Sequence, residues 1–426
     1  MKLTLLTLAV ACLAVRSAAD DDTVDLGGHR HRCNSIHMRK EWRQMTPDEQ
    51  SKYVSAVKEL NNGDKPSKYD EFTKLHVDNG NSTHTWPVFL PFHRLFIRKF
   101  EEQLQRIDPS VVLAYWDWSI DSADPSSSPI WETYGGTGTG DDQCMTEGEF
   151  ANWQVYYGVN GTEPHCLRRS FNRGTTLGPL FPPEYLEQTS RDTNNYTEWW
   201  DTLERSPHAI VHGFMGGDML DMGSPNDPVF WLHHTFLDKL WSEWQDKNSV
   251  TDRAYSGNNI DGTPALLTDE IPGYPGTTVA DVFDTTSRLL CYEYSDSSNL
   301  QGTGIATEIP VAPATPGANT RRSLSARDAK YTGDTPSLGQ EPTFIHKIGG
   351  SNYHRTWNLI YHNDKKWATD LDARKLCNPD PIPADFINSM GYNEDHVRND
   401  EAKAALQVTR FNVFFEKVCT TYDIPW

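Results

Sequence analysis

Beyond its first fifteen residues this 426-residue chain has no apolar run long enough to cross a bilayer, which argues against a membrane span. It is also short of positive charge. Its 39 Lys and Arg face 59 Asp and Glu, a formal net charge of −20. A surface of that sign disfavours nucleic acid and anionic membranes as partners. Internal repeats are missing, which excludes a solenoid. Cysteine is sparse, at seven residues. Aromatic residues are not: 14 Trp, 17 Tyr and 17 Phe suit a packed globular enzyme rather than a disordered chain. The length allows one large domain or a few smaller ones.

Met1-Lys2, the apolar run Leu3–Val15 and the small residues Ser17-Ala18-Ala19 have the form of a secretory signal peptide over residues 1–19. The mature chain then begins near Asp20, and secretion is expected. Cys12 leaves with the leader. Six cysteines remain: Cys33, Cys144, Cys166, Cys291, Cys377 and Cys419. An even number in a secreted chain implies three disulfides. Only Cys144–Cys166 can be assigned, since both lie in one glycine-rich loop region. Sequons at Asn81, Asn160 and Asn195 suit the same route. Arg321-Arg322 is read as a solvated pair, with a processing site as the alternative.

Helix signals organise the first half. Thr46-Pro47-Asp48-Glu49 is a capping-box start for a helix to about Leu60. Ser67 opens a second helix that ends with His76, and Asn79-Gly80-Asn81-Ser82 is its expected stop. A short loop then holds His84 and Trp86. Pro91 starts a third helix with Phe92, Leu95, Phe96, Phe100 and Leu104 at helical spacing. Val111–Tyr115 and Leu289–Tyr294 read as short strands, residues 120–180 as a long disulfide-tied surface loop, and Tyr196–Arg205 as a helix. Residues 296–342 form a Ser/Pro/Gly-rich loop or linker, and 343–363 are candidate strands. The C-terminal segment, 343–426, closes with a helix from Glu394 to Cys419 and is expected to pack on the core.

The chemistry centres on Ser206–Trp244. His208 and His212 are four apart, so on a helix they share one face. Asp227-Pro228 has the form of a helix start, with Asp at the N-cap and Pro at the first helical position. That helix carries the doublet His233-His234 in its second turn. Upstream, His76, His84 and His93 follow a helix-loop-helix spacing that can aim three side chains at one point. Two such trios allow two metals held between packed helices. His346, His354 and His362 repeat at eight, but on a strand such neighbours stand about 26 Å apart, so they are assigned to structure or surface. His29, His31 and His37 are also read as non-functional.

Imidazole suits zinc, copper, iron and nickel. Zinc hydrolases usually add a carboxylate, and di-iron bundles use several glutamates. Three imidazoles per metal without Cys or carboxylate point to copper. The fold class expected is mainly α: a four-helix bundle core holding a dinuclear copper site, with long loops and a few short strands.

The motifs His84-Thr-Trp-Pro-Val-Phe-Leu-Pro-Phe-His93-Arg94, Pro207-His208-Ala-Ile-Val-His212 and Asn226-Asp-Pro-Val-Phe-Trp-Leu-His-His234-Thr-Phe-Leu-Asp238 resemble those of the type 3 copper proteins, the tyrosinases and catechol oxidases. Tyr292-Glu-Tyr294 matches the tyrosine motif that ends the family's core, so residues 20–295 resemble a tyrosinase-like copper core. The resemblance implies His76, His84 and His93 on one copper and His208, His212 and His234 on the other. His234 is chosen over His233 because the family's ligand lies at a fixed distance from Asp238. The resemblance also implies that Phe230 packs on the second copper's ligands, and that Asp238 pairs with Arg39 or Arg43.

Departures from the family pattern carry information. Ser82 stands where many fungal members have a cysteine linked to the second ligand. Ala209 stands where enzymes that hydroxylate monophenols often have Asn, and Glu204 is the candidate for the glutamate that works beside that Asn. With Ala209 and Gly213 beside the ligands, the expected activity is oxidation of o-diphenols to o-quinones with O2, stronger than any hydroxylation of monophenols. A glycine-rich approach at Gly213, Gly216 and Gly217 argues against haemocyanin-like O2 binding without turnover. An oxidase dedicated to one secondary metabolite is the other alternative.

Overall fold

The computed structural model describes residues 33, 35–248, 255–300 and 376–421. The signal peptide, His29, His31, most of the 296–342 linker with Arg321-Arg322, and the 343–363 segment with His346, His354 and His362 lie outside the described residues.

In chain order the elements are strand β1 (His37–Glu41), helices α1 (Pro47–Leu60), α2 (Lys68–Thr83) and α3 (Phe89–Ile107), strand β2 (Ala114–Tyr115) and helix α4 (Ile130–Tyr134). There follow strands β3 (Gln154–Gly158) and β4 (Gly161–Cys166) and helices α5 (Pro183–Asp192), α6 (Tyr196–Leu203), α7 (Ala209–Met215) and α8 (Val229–Lys247). Strand β5 (Tyr292–Tyr294) and helices α9 (Ala384–Ser389) and α10 (Glu394–Thr421) complete them. The protein is mainly helical with a few short strands, and α2, α3, α6–α7 and α8 surround the site. Among the described residues no helix is long and apolar enough to cross a membrane.

Local chemistry sets the helix starts. Thr46 and Glu49 form the capping box of α1, with Pro47 in its first turn. Ser67 and Asp70 form the same device at α2. The expected stop at Asn79–Ser82 does not occur. Asn79 bonds back to the Leu75 carbonyl, and the Ser82 and Thr83 hydroxyls both donate to the Asn79 carbonyl, so these polar side chains are satisfied within the helix. Gly80 serves close packing instead: a Cβ there would lie 2.8 Å from the Met222 side chain. His76 is consequently mid-helix, and His84 is the C-cap.

The third helix starts at Phe89, two residues before Pro91, which sits in the first turn where no backbone donor is needed. Helix α8 starts one residue later than Asp227-Pro228 implied. A 3-10 turn over Ser224–Asn226 precedes it, Pro228 is the cap residue, and Asp227 Oδ1 accepts the Val229 N–H at 2.9 Å. Tyr196–Arg205 is not a separate helix. α6 runs through a π-helical turn, Glu204–His208, directly into α7. Pro207 inside that turn lacks a donor, and a widened turn accommodates it.

The core is aromatic. Trp231 of α8 stacks on Phe100 of α3 with centroids 3.6 Å apart, and its indole donates to the Tyr69 hydroxyl of α2 at 2.9 Å. Three helices are thereby locked in register. The strands are shorter than the sequence implied. Only Ala114–Tyr115 and Tyr292–Tyr294 pair, both in parallel with β1, in the order β2-β1-β5. Cys33–Cys291 ties the beginning of this sheet together, and Cys144–Cys166 is formed as expected. A third bridge would involve Cys419, whose side chain lies outside those described. Within 120–180 the chain is more ordered than a loop: α4 and the β3–β4 hairpin lie there. The C-terminal segment touches the core through Arg173–Asp380 and Arg205–Asp400 ion pairs and buries Ile382, Phe386, Ile387 and Val397.

Candidate metal centre

Seven buried histidines meet between the helices. His76 comes from α2, His84 from its C-cap and His93 from α3; their ligand atoms lie within 4.8 Å of one another. His208 ends the π turn, His212 lies on α7, and His233 and His234 lie on α8, forming a second group at the same spacing. The His93 and His234 rings stack with centroids 4.3 Å apart and join the two groups.

The tautomers follow from the backbone. Nδ1 of His76 faces the Met222 carbonyl at 2.7 Å, that of His84 the Gly80 carbonyl at 3.1 Å, and that of His93 the Phe89 carbonyl at 2.8 Å. His208 does the same with Glu204 at 2.8 Å and His212 with Met219 at 2.9 Å. A carbonyl oxygen only accepts, so each Nδ1 carries the proton and each Nε2 presents a bare lone pair. His233 is the opposite case. The Trp118 indole donates to its Nδ1 at 3.2 Å, which leaves the proton on Nε2. Nδ1 of His234 has no protein partner among the described residues.

Burial pushes all seven imidazoles below their ordinary value. It holds His76 and His212 at about 4, and the neighbouring histidines depress His84, His93, His208 and His234 further. Neutral imidazoles are the form that binds metal. Nε2 of His76 and His93 stand 3.3 Å apart, both bare, and Nε2 of His212 and His234 are also 3.3 Å apart. Buried lone pairs brought together need a cation, and Nε2 of His208 has no other partner among the described residues. All-imidazole groups fit two copper ions.

Around them the residues singled out in the sequence take definite places. Phe230 packs on both groups, 4.1 Å from the His234 ring and 5.4 Å from that of His76. Asp238, one turn beyond His234, receives Arg39 at 3.5 Å; Arg43 instead pairs with Asp121 and Glu41. Sequence reasoning missed three more partners of Asp238: Arg94, which bonds Oδ1, and the hydroxyls of Tyr292 and Tyr294, which donate to Oδ2. Arg39 also grips Glu101 of α3 at 2.7 Å and lies 3.4 Å over the Tyr292 ring. The adjacency His93-Arg94 was the available signal for Arg94. A second missed device is the buried pair Arg169–Asp227, bonded through both carboxylate oxygens at 2.8 Å, which anchors the start of α8. No sequence signal marked it, because its partners are 58 residues apart.

Glu204 touches both halves of the site. Its backbone carbonyl orients His208, while its carboxylate accepts the N–H of Thr85, the residue after His84, at 2.8 Å. Thr85 has a φ of 63°. Burial raises the Glu204 carboxyl to about 8. The Tyr392 hydroxyl of the C-terminal segment stands 3.5 Å from it. Ala209 is fully buried.

The glycines do not form an open approach. A Cβ on Gly213 would meet Pro383 at 3.1 Å and Phe386 at 3.6 Å, and Cβ atoms on Gly216 and Gly217 would meet the backbone of Ser170 and Arg168 at 2.2 Å. Gly216 and Gly217, at φ 63° and 57°, are needed for a turn packed against that backbone.

The fold and its two histidine groups define a helical protein with a dinuclear metal centre. Comparison with known proteins gives the family. The common central domain of tyrosinase matches residues 66–247. Tyrosinase-like protein phomQ1' of Diaporthe leptostromiformis is 33% identical over 316 residues, covering 62% of this chain and 80% of that protein. Grixazone synthase of Streptomyces griseus is 32% identical over 305 residues, covering 59% of this chain and 97% of that protein. A point mutant of polyphenol oxidase from Thermothelomyces thermophila shares the fold, with a TM-score of 0.52 at 23% identity, covering 62% of this chain and 91% of that one. The chain belongs to the tyrosinase family of type 3 copper proteins. It is thus an oxidoreductase of a family that uses O2 and phenolic substrates.

Proposed function

We propose that this chain is a secreted catechol oxidase, converting o-diphenols to o-quinones with O2. His76, His84 and His93 hold one copper, and His208, His212 and His234 hold the other. Five of these six have their Nε2 lone pair freed by a backbone carbonyl, while Trp118 turns the lone pair of His233 away. When bound, the copper pair supplies the two-electron exchange with O2 that takes a diphenol to a quinone. The chain contributes fixed imidazole orientation through the five carbonyls, a rigid aromatic wall at Phe230, and exclusion of water by full burial.

The preference for diphenols rests on one observation. Beside His208 stands Ala209, with no polar group, and the neighbouring Glu204 carboxyl, whose Oε1 accepts the Thr85 N–H, is raised by burial to about 8 and so is protonated near neutral pH. A monophenol must lose its proton before hydroxylation, and a free base at that place would help it. An o-diphenol brings both its oxidisable oxygens already in place. Copper-loaded protein should therefore turn over 4-methylcatechol with a kcat/KM at least about tenfold above that for p-cresol. Equal values would overturn the preference, and catechol binding without turnover would leave an O2-binding protein instead.

The relative named for making grixazone favours a second reading, an oxidase dedicated to one product. Adding o-aminophenol and methoxyphenols to the panel separates the two. Secretion is supported by the 1–19 leader and by two disulfides, which persist in oxidising compartments. Amino-terminal sequencing of protein recovered from the culture medium should begin near Asp20.

A further inference from the structure

One short loop orients a histidine in each metal group. Between α7 and α8 the chain turns through Gly216 and Gly217, and two carbonyls of this turn reach inward. That of Met219 accepts from His212 at 2.9 Å and that of Met222 from His76 at 2.7 Å. The end of α7 and the loop are held from outside. Ser170 N–H donates to Met215 O at 2.8 Å, Asn172 N–H to Phe214 O at 2.9 Å, and Asp218 N–H to Arg168 O at 3.1 Å. Asp218 returns the last contact, its Oδ2 accepting the Arg168 N–H at 2.7 Å.

The other carboxylate oxygen of Asp218 meets His165. Its Nε2 is 2.7 Å from Asp218 Oδ1, and its Nδ1 is 2.5 Å from the Glu163 carbonyl. Both oxygens only accept, so both ring nitrogens donate and the ring is an imidazolium. His165 sits on β4 next to Cys166, whose bond to Cys144 secures that strand. From the disulfide to the metal-facing carbonyls the chain of contacts is unbroken.

We propose that His165 is a positioning residue for the dinuclear centre: through Asp218 it fixes the loop whose Met219 and Met222 carbonyls aim His212 and His76 at the metals. The inference rests on the copper reading above. The charged groups around it are Asp218 and Asp221, which favour the imidazolium together with the Glu163 backbone carbonyl, and Arg168, which opposes it. The hydrogen bond it donates to Asp218 raises the imidazole above its ordinary 6.5. The clamp is therefore complete below that value and weakens as pH rises through the raised one.

The test is copper release to a chelator, followed by absorbance from pH 6 to 9, on wild-type, His165→Gln and Asp218→Asn proteins of measured copper content. Outer-sphere partners of metal ligands typically matter about 10- to 100-fold in metal affinity. Both variants should release copper about tenfold or more faster than wild type at pH 6. The wild-type rate should climb towards theirs as pH rises, and theirs should stay flat. Amide exchange of Arg168 and Asp218 in the metal-free protein should accelerate in His165→Gln. A variant with wild-type release and a wild-type pH profile would overturn the proposal. If neither variant folds, the wild-type profile decides, because release that slows or stays level above pH 7 is incompatible with the clamp. A wild-type protein that takes up no copper would overturn the copper reading and this inference with it; full copper with unchanged release would overturn only the inference.

Discussion

Trp118 donates its indole N–H to Nδ1 of His233 across 3.2 Å, and this bond makes two adjacent histidines chemically unlike. His233 and His234 are both buried, both on α8, and both within reach of the second group. Only the ring whose Nε2 can stay unprotonated binds a metal. His234→Gln should therefore lower the copper content to about one per chain, whereas His233→Gln should keep both ions. Elemental analysis of the purified variants decides, and the reverse pattern would exchange the two assignments.

Acid should destabilise the metal-free protein. Burial holds His76 and His212 at about 4 when folded, against an ordinary 6.5 when unfolded. Between those values the unfolded chain binds more protons, so stability falls as pH falls. Urea midpoints of the metal-free form should drop steadily from pH 6.5 towards 4. Copper should raise the midpoint at neutral pH, because it binds the folded form alone. A midpoint that stays level over that range would show the histidines to be less buried than they stand.

Asp238 should be among the costliest single residues to lose. It is 3% exposed and compensates Arg39 and Arg94, both fully buried. Asp238→Ala leaves two buried cations short of a partner, a loss of about 3–5 kcal/mol. Chemical denaturation should show that loss, and an effect below about 1 kcal/mol would mean the arginines find other partners.

Gly213→Ala tests the fit of the C-terminal segment. The new Cβ would stand 3.1 Å from Pro383, a ring with little freedom to move. Overpacking of this kind costs about 1–3 kcal/mol. Limited proteolysis should show faster cleavage within residues 376–392 than in wild type. Unchanged cleavage and stability would show that the segment shifts at no cost.

The legible part of this protein was written in local chemistry. Capping boxes at Thr46 and Ser67 set two helix starts, and apolar spacing from Phe92 to Leu104 set the buried face of a third. The histidine spacings gave the two metal groups: His208 and His212, four apart, share a helix face whatever surrounds them, and His76, His84 and His93 follow a helix-loop-helix spacing. Local signals failed where a contact from elsewhere outweighed them. Asn79–Ser82 looks like a stop, but Met222, more than 140 residues on, packs on Gly80 and the helix continues. Gly213, Gly216 and Gly217 look like an open approach and are instead covered by Pro383, Ser170 and Arg168.

By itself the sequence determined the helices that carry the histidines, the all-imidazole chemistry and the family. Tertiary structure alone decided which histidine nitrogen carries the proton, what braces Asp238 and what lies over Gly213. Those depend on backbone carbonyls and on side chains far apart in the chain, and neither leaves a pattern in the order of residues.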